Sequence, residues 1–85
     1  MTDASELVAQ IEQMIGESNT ALAAIAQAKD HIHQLSYKLL VVHGHGSSAP
    51  TNAQNQVTKA LELIENAETE LRPVTRVLED WQRVL

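Results

Sequence analysis

The chain of 85 residues reads as an all-α protein, an antiparallel two-helix hairpin of coiled-coil character that pairs into a four-helix bundle. Three observations predict this. Apolar residues recur in alternating steps of four and three along both halves of the chain, the seam pattern of helices that pack on helices. A glycine-containing break, Gly44 to Gly46, stands near the middle. Apolar residues make up 44% of the chain, yet Ala and the aliphatics supply nearly all of them, with one Trp, one Tyr and no Phe. Sheets favour aromatic and β-branched side chains, so this composition argues for helices.

The first helix is predicted over about residues 4–43. Asp3 can cap it, and Glu6 stands where the reciprocal half of a capping box belongs. Every seventh residue from Leu7 gives Leu7, Met14, Ala21, Ala28, Leu35 and Val42, and the interleaved series is Ile11, Ser18, Ile25, Ile32 and Leu39. Ser18 is the one polar member. Gly16-Glu17-Ser18-Asn19-Thr20 is a weak spot, since a helical Gly costs about 1 kcal/mol relative to Ala. The seven-residue phase nevertheless runs through it, so one helix is expected rather than two.

A loop at 44–48 follows, where Gly44 can take the left-handed conformation that ends a helix and Ser47 or Ser48 can cap the next. The second helix is predicted over about residues 49–85, with Pro50 in its first turn and a kink near Pro73. Its series are Val57, Ile64, Leu71, Leu78, Leu85 and Ala60, Ala67, Val74, Trp81. A short loop folds the second helix back on the first, so residues whose numbers total about 94 lie side by side. That register sets Glu12 level with Arg83, Glu17 with Arg76 and Lys29 with Glu65, all opposite in sign. The single domain then spans residues 1–85.

Beside the expected seam, Val8, Ile15 and Leu22 on the first helix and Val77 and Val84 on the second gather around Trp81 at the open end of the hairpin. Contiguous apolar surface of this kind marks an interface. A two-helix hairpin also has one groove to fill while ordering costs about 1.5 kcal/mol per residue. The expected partner-binding surface is therefore Val8, Ile15, Leu22, Val77, Trp81 and Val84, and the expected partner is a second copy, as a homodimer, or another helical protein.

Other classes of function find little support. The net charge is -5 and the six basic residues are scattered, which disfavours nucleic acid and anionic membranes. No apolar run approaches the ~20 residues of a membrane span. There is no cysteine, hence no disulfide framework or thiolate metal site. His43 and His45 form a His-x-His in the loop without a third ligand nearby, and they read as helix-end and solvated residues. His31 and His33 point to different sides of a helix. Glu62, Glu65, Glu68 and Glu70 form an acidic run without the Glu-x-x-His of a di-iron bundle, so a solvated face is expected. No nucleophile elbow or phosphate-binding loop is present. The reading is of no enzyme, no cofactor, no metal and no small-molecule substrate. Without a basic, apolar leader, the expected location is the cytoplasm, with a leaderless route as the means of any export.

Two antiparallel helices with a Gly-containing turn, acidic charge and this length resemble the small helical hairpins of type VII (ESX-type) secretion. The chain is also similar to the Ala-rich helical hairpins of actinobacteria, found alone or ahead of toxin domains, with a Gly/His/Ser loop and an ending like Trp81-Gln82-Arg83-Val84-Leu85. The turn carries His43-Gly44-His45-Gly46 where the secretion hairpins have Trp-x-Gly, and Tyr37 is followed four residues later by Val41, not by an acid. The resemblance implies an exported or toxin-associated hairpin that pairs with a different helical protein. The residues themselves imply an interaction and oligomerisation module working through an apolar stripe.

Overall fold

A computed structural model of the chain describes residues 3–42 and 48–85. It consists of α1, Ala4–Val41, and α2, Ala49–Arg83, packed against each other along their length. The molecule is a rod of 66 × 19 × 15 Å. The connection, with His43, Gly44, His45, Gly46 and Ser47, lies outside the described residues.

Asp3 caps α1 from an extended backbone, its side chain accepting the Glu6 N–H at 2.8 Å, as the sequence predicts. The helix continues unbroken through Gly16 and Thr20, where the Thr20 hydroxyl donates to the Gly16 carbonyl at 2.9 Å. Ser48 takes the N-cap position of α2 with a helical backbone, and its side chain makes no capping bond. Pro50 follows in the first turn, where its missing N–H is no loss. Pro73 is held inside α2 on an exposed position.

The hairpin is antiparallel, with Ser18 on Thr75, Lys29 on Glu68 and Ser36 on Gln54 in order from the open end toward the connection. The register matches expectation. The seam does not. On α1 the residues turned toward α2 are Val8, Ile11, Ile15, Ser18, Leu22, Ile25, Lys29, Ile32, Ser36 and Leu39, every one buried or half-buried. On α2 they are Gln54, Val57, Leu61, Ile64, Glu68, Leu71, Thr75, Leu78 and Gln82, all half-buried. Each run steps by three and four without a slip, as a coiled-coil seam must.

One expected series on each helix is thus in the seam and the other is not. Leu7 and Ala28 are only half-buried, while Met14, Ala21, Leu35 and Val42 are exposed. On α2, Ala60 is half-buried and Ala67, Val74 and Trp81 are exposed. The physical reason lies in the polar groups: this rotation brings Ser18 to Thr75, Lys29 to Glu68 and Ser36 to Gln54, and these pairings remove most of the cost of covering them.

Those partners carry the corrections to the charge pairing. Lys29 meets Glu68 at 3.3 Å, one turn beyond Glu65, and Glu68 also receives Arg72 at 3.3 Å. Glu12 accepts from the Gln82 amide rather than from Arg83, which pairs with Asp80 on its own helix at 3.3 Å. Among the described residues Glu17 and Arg76 form no ion pair. Among the described residues the sheltered core is small: Ile11, at 0% exposure, and Ser18, at 7%, two turns further along α1.

Candidate functional site

The seam fixes what is left outside. In an antiparallel pair, the lines that precede the seam on the two helices fall on one face of the hairpin and the lines that follow it fall on the other. The preceding lines are Leu7, Met14, Ala21, Ala28, Leu35, Val42 on α1 and Ala60, Ala67, Val74, Trp81 on α2. Not one of these is polar. Next to them on α2, one step further out, stand Leu63, Val77 and Val84. The following lines are Glu12, Asn19, Ala26, His33, Leu40 and Thr58, Glu65, Arg72, Glu79, exposed and mostly polar or charged. The hairpin therefore has a solvated face and an apolar one.

The apolar face is wide open. Leu63 is 70% exposed, Val77 64%, Val84 80% and Trp81 41%. Scattered exposed aliphatics are ordinary on a protein surface, but a contiguous strip running the length of both helices is not. Its bulk is uneven: Leu7, Met14, Val74, Val77, Trp81 and Val84 crowd the open end, and Ala21, Ala28, Ala60 and Ala67 occupy the middle.

The six residues expected to form one partner surface are divided by the seam. Val8, Ile15 and Leu22 are half-buried between the helices, whereas Val77, Trp81 and Val84 remain outside. Met14, Leu35 and Val74 belong to the exposed face although sequence reasoning placed them in the seam, and Leu63 was assigned to neither. The signal for Leu63 was present in its sevenfold spacing with Val77 and Val84, interrupted only by Glu70.

The remaining polar groups sort by placement. Glu62, Glu65 and Glu70 are exposed, but Glu68 is drawn into the seam, with a side-chain exposure of 18%. The hydrogen bond from Lys29, aided by Arg72, holds its carboxyl below the ordinary carboxylate range against the opposing effect of burial. His31 and His33 are exposed, and among the described residues no three His, Asp or Glu side chains gather as a metal would require. His43 and His45 lie outside the described residues.

A cleft of about 140 Å³ beside the connection is lined by Leu39, Leu40, Pro50, Thr51, Gln54 and Asn55, below the roughly 300 Å³ at which small-molecule sites begin. Gln54 donates to the Ser36 hydroxyl there at 2.7 Å. A second recess, of about 470 Å³, lies along the exposed side of α2 between Glu68 and Arg76. Among the described residues, no helix is long and apolar enough to cross a membrane. What the arrangement can do chemically is bury hydrocarbon against another apolar surface. No protein-family model, no curated protein and no solved structure matches the chain.

Proposed function

We propose that the chain is a non-catalytic helical interaction module that self-associates, stacking two hairpins through their apolar faces into a four-helix bundle. The observation that carries this is the placement of the polar residues. Ser18, Lys29, Ser36, Glu68, Thr75 and Gln82 all lie in the seam inside the hairpin, while both lines flanking it on one side are wholly apolar. Lone hairpins do the reverse, because an exposed hydrocarbon strip lowers solubility and contributes nothing to folding. The strip becomes useful once a second layer of helices covers it.

The test is sedimentation of the purified chain and of the variant Val74→Asp with Val77→Asp. Both sites are exposed, so the hairpin itself keeps its seam. The expected result is a dimer for the parent chain and a folded monomer for the variant, with helicity read by circular dichroism. A parent chain that remains monomeric and helical at high concentration would overturn the proposal, as would a variant that still dimerises.

A further inference from the structure

Resting on that self-association, we infer that the covering layer is a second copy laid with its ends reversed, the open end of one hairpin over the connection end of the other. The rod offers a face 66 Å long and 19 Å wide, ample for the roughly 800 Å² per partner that a standard interface takes. A second copy supplies a face of the same length. Face-to-face stacking of identical hairpins allows two symmetric arrangements, with like ends together or with ends reversed.

Bulk decides between them first. With like ends together, Met14, Val77 and Trp81 of both copies gather at one end, and the alanine-lined middle is held apart, leaving unfilled space. With ends reversed, the two-fold axis crosses α1 between Ala21 and Ala28, so each lies on the other in the partner. Two helices approach closest where both present alanine, and bulkier residues then fill the diverging space on either side. Met14 falls on the partner's Leu35 and Val74 on the partner's Leu63. Large residues no longer stack at one end alone.

Charge points the same way. Reversal sets Lys59 level with the partner's Asp80. Like-ended stacking instead brings Lys59 within a turn of the partner's Lys38 and Asp80 within a turn of the partner's Glu17. Opposite signs at the rim specify orientation more than they add affinity. The cost of reversal is Glu70, which lies near its own copy at the axis, on the outer rim and exposed to water.

The experiment is a pair of distance measurements by double electron–electron resonance on the full chain, which has no native cysteine. A spin label is placed at Gln10→Cys in one variant and at Lys38→Cys in another, both exposed positions at opposite ends of α1. Reversed ends separate the two labels of a dimer by about 40 Å or more at both sites, at 1.5 Å per residue along the helix. A dimer with separations below about 25 Å at both sites overturns the reversed arrangement while leaving self-association intact. A monomeric mass with no measurable distance removes both.

Discussion

Ser18 and Thr75 meet hydroxyl to hydroxyl across the seam, on opposite helices and 57 residues apart in the chain. Ser18 is nearly buried, so its hydroxyl depends on this partner. Losing one member strands the other, which costs about 1 to 3 kcal/mol, whereas replacing both with apolar groups of similar shape is close to neutral. Ser18→Ala and Thr75→Val should each lower stability in urea unfolding, and the double variant should lose much less than the two together. Additive losses would show that the pair does not act as a unit.

Gly16 sits in the middle of α1 on an exposed position, with nothing within 4 Å of where a Cβ would be. Alanine there keeps the helix and restricts the unfolded chain. Gly16→Ala should stabilise by about 1 kcal/mol, seen as a higher midpoint in thermal or urea unfolding. A neutral or negative change would mean that the glycine serves a contact outside the hairpin.

Glu68 makes stability depend on pH with a definite sign. Its carboxyl is held below the ordinary value of 4.5 by the Lys29 hydrogen bond first and Arg72 second, so the folded state favours the ionised form. The contribution is fully present above that ordinary value and disappears as pH falls through the lowered folded-state value. Lys29→Gln should therefore destabilise the hairpin near neutrality, and the difference from the parent chain should shrink as urea midpoints are followed down to pH 3. A difference that stays constant over this range would assign the effect to Lys29 packing instead.

Among the described residues, Ile11 is the one large side chain with no exposure at all. Ile11→Ala should cost about 2 to 5 kcal/mol, enough to unfold a domain of this size, whereas Leu63→Ala at a 70% exposed site should leave the isolated hairpin nearly unchanged. In the proposed dimer Leu63 is covered. The Leu63 variant should therefore show its penalty as a weaker concentration dependence of the unfolding temperature.

The helices, the cap at Asp3, the antiparallel register and the passage of α1 through Gly16 were all legible in the sequence, because each follows from local propensity or from one seven-residue phase. The surface was harder to read. On α1 three adjacent lines are largely apolar, and a single helix gives no sign of which two face inward. The purest line, from Leu7 to Val42, looks like seam when α1 is considered alone. Val8, Ile15 and Leu22 look like surplus because Lys29 and Ser36 follow them at the same spacing.

By itself the sequence determined two long amphipathic helices, their direction and their level against each other, since periodicity and a short connection suffice for that. Only the tertiary structure decided the rotation of each helix about its own axis. Rotation depends on matching polar side chains across the seam, Lys29 to Glu68, Ser18 to Thr75 and Ser36 to Gln54. A match of that kind is a property of two helices together, and through it Ser18, Lys29 and Ser36 went inside and the apolar line from Leu7 to Val42 was left on the outer face.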